Sequence, residues 1–300
     1  MPAKMKRAWA AMLTVLNEID LICKRHGLKW WADWGTLIGV IRHRGFIPWD
    51  DDIDISMMRD DYMTFIEVAN RELPEGYYCY SIYTDDTYRG YTARVANSRS
   101  MRGDEAFLNA NSGLPYMSGV DIMCIDYMSP DGDYLTEQKR IISELDMLAG
   151  GIDETLRYEE IPELHKTLYD IEKVFDMEIS HEIPVAVQLY RLCEKLMSSV
   201  KRDVALSSTC MGMYAIRDKF RAVFPKEYYE ELITAPCEFM EVPVPLHYDD
   251  MLHKIFGNYM KPYRAGGIHD YPCYCRQEAL LRETVGKVMW DTCSFDGLSD

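Results

Sequence analysis

A cluster of carboxylates, Asp50–Asp52 and Asp54, is the part of the sequence with the clearest chemical potential. Ile53 and Ile55 alternate with Asp52 and Asp54, and a period of two puts the carboxylates on one face of a strand and the isoleucines on the other. Neighbouring carboxylates repel one another unless a cation lies between them. Hard oxygen ligands that leave room for phosphate oxygens favour Mg²⁺ or Mn²⁺ over zinc. The alternation therefore predicts a metal site on a short strand, with Asp50 and Asp51 as the loop that leads into it.

The alternative interpretation of these residues is a calcium-binding loop or a plain acidic surface loop. An EF-hand loop in its usual form is excluded, because the glycine and the bidentate glutamate are missing at the required offsets. A solvated turn would also not require apolar partners at Ile53 and Ile55. The pattern therefore favours a strand that presents ligands.

A glycine turn precedes the aspartates. Gly35, Thr36 and Gly39 lie where a strand predicted over 28–33 passes into a helix, and glycine there lets backbone N–H groups approach a phosphate. Such a turn alone is more often a packing feature. Together with the carboxylates it predicts a diphosphate site, with Arg42 sharing the negative charge. A surface salt bridge is the alternative role for Arg42.

Three segments carry a resemblance to a known family. They are G-T-L-I-G-V-I-R-H-R-G-F-I-P-W-D-D-D-I-D-I at 35–55, S-G-V-D-I-M-C-I-D-Y at 118–127 and V-P-V-P-L-H-Y-D-D-M-L-H-K-I-F-G-N-Y-M-K-P at 242–262. The chain resembles the LicD family of phosphocholine transferases, within the nucleotidyltransferase superfamily that also contains the fukutin-related proteins. The first segment is the most specific of the three, and the middle of the chain matches weakly.

The resemblance implies a first carboxylate pair at Asp52 and Asp54 and a third carboxylate on a neighbouring strand, which together hold the metal. Asp121 and Asp126 are the candidates for the third, and strand parity puts them on opposite faces. Asp121 has apolar neighbours on both sides, as in the superfamily pattern, and is the residue we expect at the site. Asp126 lies where the strand gives way to a turn, which suits a strand-end or capping residue.

The reaction that the resemblance implies is transfer of phosphocholine, or a related phosphoalcohol, from CDP-choline or another CDP-alcohol to a hydroxyl of a cell-surface glycan such as lipopolysaccharide or teichoic acid. CMP is the leaving group, and Mg²⁺ or Mn²⁺ is the cofactor. In phosphoryl transfer, positioning and charge neutralisation supply most of the rate enhancement. If the acceptor hydroxyl needs a base, Asp121 is the best placed. Lys261 is a candidate for a second phosphate contact, with a surface salt bridge as its alternative role.

A choline headgroup is a cation without hydrogen-bond donors, so aromatic faces are what a protein uses to recognise it. The chain has 21 tyrosines and 6 tryptophans. Trp34 and Trp49 are possible members of a choline pocket, although Trp49, beside Pro48, equally suits a brace for the aspartate loop. The composition permits choline without requiring it, because an alditol phosphate would use polar contacts instead.

The pattern of apolar residues predicts an α/β (α+β) fold with a largely helical C-terminal half, and the resemblance implies a nucleotidyltransferase-like mixed sheet flanked by helices. We expect a catalytic core over 1–130 and a mainly helical region over 131–300 that completes the site and contributes to acceptor recognition. The predicted elements are an amphipathic helix over 5–26, strands over 28–33, 52–56, 77–83, 90–96 and 119–126, a helix over 60–73, and a loop over 98–117.

Composition limits the class of protein. A net charge of −16 argues against nucleic acid and against an anionic membrane surface as partners. No run of 18 uncharged apolar residues exists, so the sequence predicts no transmembrane segment. The 9 cysteines include no C-x-x-C pair, which indicates reduced thiols in a cytoplasmic chain. Cys273, Cys275 and Cys293, with His269 nearby, could bind zinc, but free thiols are the expected state.

Two other functions stay open at this point. One is a nucleotidyltransferase that transfers the NMP itself to a small molecule or protein. The other is a non-catalytic module that keeps the fold and only binds a nucleotide or a choline-bearing glycan. Asp52, Asp54 and Asp121 together favour catalysis, because a binding module has no need of three metal ligands.

Overall fold

The computed structural model describes residues 3–153, 158–217 and 219–262, together with Gln277, Ala279, Leu280 and Glu283. Its helices are α1 (Ala3–His26), α2 (Trp34–His43), α3 (Arg59–Glu72), α4 (Glu105–Ala110), α5 (Gly132–Gly151), α6 (Pro162–Phe175), α7 (Val185–Met197), α8 (Met211–Ile216) and α9 (Tyr248–Phe256). Single turns of 3₁₀-helix cover Tyr158–Glu160 and Lys226–Tyr229.

The strands are β1 (Trp31–Ala32), β2 (Asp54–Met58), β3 (Tyr78–Tyr80), β4 (Ala93–Ala96), β5 (Gly119–Met128), β6 (Ser207–Thr209), β7 (Val223–Pro225), β8 (Leu232–Cys237) and β9 (Met240–Pro245). They form a mixed sheet flanked by helices and a separate β8–β9 hairpin, so the predicted α/β class is confirmed. No helix in the described part of the chain is both long enough and apolar enough to cross a membrane.

The chain divides into two compact units. The first contains the described residues of Met1–Cys79, Arg94–Met123 and Tyr228–Asp300, and the second those of Tyr80–Ala93 and Cys124–Glu227. Both units are built from separated stretches of the chain. The division at residue 130 that the sequence suggested stays a prediction.

In the first unit the strand order is β1-β2-β5-β4-β3, with the first half of β5 in the centre. β1 pairs antiparallel with β2, and Trp31 lies opposite Ser56. The apolar face of α1 is buried, with Leu13, Leu16 and Ile19 each at most 2% exposed. This burial confirms the amphipathic first helix, whose stability comes mainly from packing of that face.

In the second unit the second half of β5 pairs antiparallel with β6, and β6 pairs antiparallel with β7. Asp126 lies opposite Thr209 in this ladder and is buried. The helices α5, α6, α7 and α8 enclose an apolar core that includes Ile142, Leu145, Leu168, Leu189 and Leu192. Pro162 is the first residue of α6, where its missing N–H costs nothing, and Pro184 is the N-cap of α7.

Several predicted boundaries need correction. The strand expected over 28–33 is only Trp31–Ala32, and the one expected over 77–83 is only Tyr78–Tyr80. The predicted loop over 98–117 contains α4, whose N-cap Asp104 accepts a 3.0 Å hydrogen bond from the Phe107 N–H. An aspartate three residues before the bonded N–H is a helix-start signal. The glycines and proline around it favoured a loop in the sequence.

Candidate active site

The carboxylate strand is anchored as its alternation predicted. Ile53 and Ile55 are 1% and 0% exposed, whereas Asp52 and Asp54 are only partly buried. Asp54 is the first residue of β2, and Asp52 lies just before the strand begins. The sheet therefore fixes the backbone of the pair, and both side chains stay partly exposed.

The glycine turn lies at the start of α2, and it is hydrogen-bonded to this strand. The Asp54 N–H donates to the Thr36 hydroxyl at 2.8 Å. Asp33, the N-cap of α2, accepts from the Trp34 N–H at 2.8 Å and from the Ser56 hydroxyl at 2.7 Å. Two residues of the turn are thus bonded to two residues of β2, which sets the distance between the turn and the carboxylates.

Trp34, one of the two residues suggested for a choline pocket, has unusual backbone geometry. Its φ of 49° lies in the left-handed region, which costs a non-glycine residue on the order of 1–3 kcal/mol. The indole ring meets Phe256 of α9 edge to face, with 6.5 Å between ring centroids. Strain of this kind persists where surrounding contacts impose it, and it concentrates at functional sites.

Asp50 is closer to the site than the sequence suggested. A Cβ built on Gly35 would lie 2.9 Å from Asp50 Oδ2, so the carboxylate packs against the bare Cα of the turn. Carboxylate oxygens of Asp50, Asp51 and Asp52 come within 4.8 Å of one another, near enough to share one cation. Asp50 and Asp51 are therefore candidate ligands in addition to their role as the loop.

The charges of these groups act on one another strongly. Burial raises the pKa of Asp50 to about 8, with further contributions from the charge and hydrogen bond of Asp52 and from Asp51. The pKa of Asp54 is raised well above its usual value, first by burial and then by the charges of Asp52, Asp121, Asp50 and Asp33. In the absence of a cation Asp50 and Asp54 therefore keep their protons to a higher pH than ordinary aspartates, because burial and then the neighbouring anions disfavour their charged forms.

Asp121 lies at this cluster, on the strand next to β2. Its N–H donates to the Ile53 carbonyl at 2.9 Å, and its charge contributes to the raised pKa of Asp54. Asp126, the other sequence candidate, belongs to the second unit, where it is 1% exposed. Asp121 is thus near enough to Asp54 for its charge to act on it, whereas the described carboxylates whose oxygens lie within 4.8 Å of one another are those of Asp50, Asp51 and Asp52.

Sequence reasoning missed Arg94. One of its guanidinium nitrogens, Nη1, donates to both oxygens of Asp121, at 2.8 and 3.0 Å. Arg94 lies on β4, the strand beyond β5 in the sheet order. Nothing in its local sequence distinguishes it, because only the pairing of β4 with β5 brings it to the carboxylate.

The predicted phosphate contacts Arg42 and Lys261 are at the other end of α2. The Arg42 guanidinium donates to the Tyr259 carbonyl and, at 3.3 Å, to His43 Nδ1. Lys261 is exposed and follows Tyr259 by two residues, and its N–H donates to the Asn258 carbonyl at 3.1 Å. Arg42 therefore contacts the segment after α9 to which Lys261 belongs. The part of both residues in phosphate binding stays a prediction.

Trp49 is partly buried in the loop before the aspartates. Trp9 of α1 also holds this loop, because its indole N–H donates to the Asp50 carbonyl at 2.9 Å. The Trp9 ring also stacks on Phe46, with centroids 4.6 Å apart and planes within 3°. A hydrogen bond from a residue so distant in sequence could not be read from the aspartate segment.

The described cysteines, Cys23, Cys79, Cys124, Cys193, Cys210 and Cys237, are buried free thiols. This agrees with the expectation of reduced thiols for these positions. The possible zinc ligands Cys273, Cys275, Cys293 and His269 lie outside the described residues.

The site thus combines clustered carboxylates at the start of β2 with the first turn of α2, in a mixed sheet. Residues 27–110 match the family model for the LicD/FKTN/FKRP nucleotidyltransferase domain. This part of the chain is therefore similar to that domain, as the resemblance implied. The matched range includes the glycine turn, the aspartates and Arg94, whereas Asp121 lies beyond it.

Individual relatives agree with the family match. The Haemophilus influenzae protein named lipopolysaccharide cholinephosphotransferase LicD is 42% identical over 84 residues, which are 28% of this chain and 31% of the relative. An uncharacterized Rickettsia typhi protein is 31% identical over 67 residues, 22% of each chain. A Rickettsia prowazekii protein, also uncharacterized, is 35% identical over 51 residues, 17% of this chain and 19% of its own. The matches thus cover less than a third of each relative.

Proposed function

We propose that this chain is a metal-dependent transferase that moves phosphocholine, or a related phosphoalcohol, from a CDP-activated donor to a hydroxyl of a cell-surface glycan, with release of CMP. The observation that carries the proposal is the carboxylate cluster around Asp54, whose mutual repulsion a divalent cation would relieve. The similarity to a protein named as a lipopolysaccharide cholinephosphotransferase supports the choice of phosphocholine and of a lipopolysaccharide acceptor.

The donor set fits a hard divalent cation. Every candidate ligand is a carboxylate, and oxygen ligands suit Mg²⁺ or Mn²⁺. We assign Asp52, Asp54 and Asp121 as ligands of the ion, with Asp50 and Asp51 as further candidates because their carboxylates come within 4.8 Å of that of Asp52. When bound, such an ion neutralises charge on the diphosphate and on the departing CMP.

The protein's own residues would supply position and proton transfer. The Gly35-Thr36 turn lies beside the carboxylates and has no side chain at Gly35 to keep a phosphate away. We assign Asp121 as the base that accepts the proton of the acceptor hydroxyl, because it lies at the carboxylate cluster and is partly exposed. Trp34 and Trp49 would line the pocket for the headgroup. A cytoplasmic location, where CDP-alcohols are made available to the enzyme, is part of the proposal.

A donor panel tests this function. The purified protein is given Mg²⁺, lipopolysaccharide lacking phosphocholine, and in turn CDP-choline, CDP-ethanolamine, a CDP-alditol or ATP, and nucleotide release is followed by chromatography. We expect CMP from CDP-choline and none after Asp54→Asn. Turnover of ATP with failure of every CDP-alcohol would favour transfer of a nucleotide instead. Binding of CDP-choline without turnover of any donor would favour the non-catalytic module.

A further inference from the structure

Arg94 and Asp121 form a salt bridge within the first unit. Both oxygens of the Asp121 carboxylate accept from Arg94 Nη1, at 2.8 and 3.0 Å. The two side chains are 33% and 27% exposed, so solvent and small solutes reach the pair. Arg94 is held on a strand, which gives its guanidinium a more precise position than a loop would.

Gly119 leaves the space that this contact requires. Gly119 and Asp121 are two residues apart on β5, so they face the same side of the sheet. A Cβ at Gly119 would lie 3.0 Å from Arg94 Nε and 2.6 Å from the Val95 carbonyl oxygen. The Arg94 side chain therefore passes over a bare Cα on its way to the carboxylate, and any larger residue would obstruct it.

We propose that Arg94 is a substrate-binding residue that contacts the diphosphate of the nucleotide donor while it stays hydrogen-bonded to Asp121. This inference rests on the proposed function, because it takes the carboxylate cluster as the place where the donor's diphosphate binds. A cation held by Asp121 and Asp54 would draw the diphosphate to a position next to Asp121. The diphosphate would then be within reach of the Arg94 guanidinium, which is hydrogen-bonded to Asp121.

The chemistry of arginine suits this double role. A guanidinium has five N–H donors in one plane, so one nitrogen can stay on a carboxylate while others turn to a phosphate. Lysine offers a point charge without that fork. Arg42, the arginine that the sequence suggested for the diphosphate, donates to the Tyr259 carbonyl at the other end of α2. Arg94, by contrast, donates a hydrogen bond to Asp121, a carboxylate of the cluster itself.

The experiment measures binding, not turnover. Isothermal titration with Mn²⁺ alone, and then with CDP and with ADP in the presence of Mn²⁺, is carried out on the full chain and on Arg94→Gln and Arg94→Lys. Arg71→Gln is the matched control, because Arg71 lies on α3 of the same unit and its pair with Glu67, at 4.0 Å, is exposed. Melting curves establish that each variant is folded.

We expect Arg94→Gln to weaken CDP and ADP binding about 10- to 100-fold, the range for loss of a charge-assisted hydrogen bond. Its affinity for Mn²⁺ alone should be unchanged or higher, because a positive charge next to a ligand is gone. Arg94→Lys should recover part of the loss, and Arg71→Gln should behave as the wild type.

Other outcomes overturn the inference. An equal loss of Mn²⁺ and nucleotide binding in Arg94→Gln would mean that Arg94 only orients Asp121, and unchanged nucleotide binding would mean that it has no part in the donor site. Wild-type protein that binds Mn²⁺ but neither nucleotide would contradict the inference as well. Equal binding of ADP and CDP, with the Arg94 effect present for both, would uphold the inference and reject the cytidine donor of the proposed function.

Discussion

The N–H of Asp54 donates a 2.8 Å hydrogen bond to the hydroxyl of Thr36. This bond joins the first residue of the carboxylate strand to the first turn of α2, next to Gly35. The spacing between a phosphate-binding turn and its metal ligands decides whether both can act on one diphosphate. The Thr36 hydroxyl is therefore a structural element of the site, although it need not touch a substrate.

Replacing Thr36 by valine removes this acceptor and keeps the shape of the side chain. The Asp54 N–H then loses its partner, which costs about 1–3 kcal/mol where the group is shielded from water. We expect a lower midpoint in urea unfolding and a loss of transferase activity larger than the loss of folded protein.

Thr36→Ser is the matched control, because it keeps the hydroxyl. It should retain most of the stability and activity. Equal activity in the valine and serine variants would show that the hydrogen bond does not position the carboxylates.

Gly35→Ala tests the packing of Asp50 on the turn. The new methyl group would lie 2.9 Å from Asp50 Oδ2, and the carboxylate at the end of its side chain can move away. We therefore expect a small change in the free energy of unfolding, within about 1 kcal/mol. Divalent-cation affinity, measured by isothermal titration, should fall severalfold because one candidate ligand is displaced.

Gly103→Ala provides the comparison in the same unit, since a Cβ there meets nothing within 4 Å. It should leave cation affinity unchanged. If the two alanine variants bind the cation equally well, Asp50 is not a ligand.

The raised pKa values predict how pH affects the metal-free protein. Asp50 titrates at about 8 in the folded state against 3.8 for the ordinary side chain, so between these values the folded protein holds more protons than the unfolded chain. This group's contribution to stability is thus present at low pH and is lost as pH rises towards 8. The pKa of Asp54, also raised, acts in the same direction.

We expect the melting temperature of the metal-free protein to fall between pH 6 and pH 8.5, by several degrees if the effect is on the order of 1–2 kcal/mol. Mg²⁺ should reverse the fall, with its largest effect at the higher pH. Calorimetry in buffers of different ionisation enthalpy should show proton release on metal binding. Asp50→Asn should flatten the pH dependence, and an unchanged slope in that variant would rule out Asp50 as its source.

Part of the candidate site could be predicted from local sequence patterns. The isoleucines between the aspartates show the period of a strand with one buried face, and both are indeed buried. Gly35 and Thr36 lie in the first turn of α2, which begins at Trp34 after its N-cap Asp33. Small residues and an aspartate cap are helix-start signals that act within a few positions. These features need no knowledge of distant residues.

Contacts that depend on tertiary structure could not be predicted in the same way. Arg94 lies in an ordinary strand pattern, and only the neighbouring positions of β4 and β5 bring it to Asp121. The hydrogen bond from Trp9 to the Asp50 carbonyl joins a helix and a loop that are 41 residues apart. Asp121 was found through the family resemblance, since its own segment offered two aspartates and no local reason to prefer one strongly.

The proposed function requires that the carboxylates of Asp52, Asp54 and Asp121 bind a divalent cation. Electron paramagnetic resonance of free Mn²⁺, titrated with the metal-free protein at pH 7.5, measures that binding directly. We expect saturable binding by the wild type, a loss of at least tenfold in affinity in Asp54→Asn, and competition by Mg²⁺. Wild-type protein that leaves the Mn²⁺ signal unchanged, or an Asp54→Asn variant that binds as well as the wild type, would contradict it.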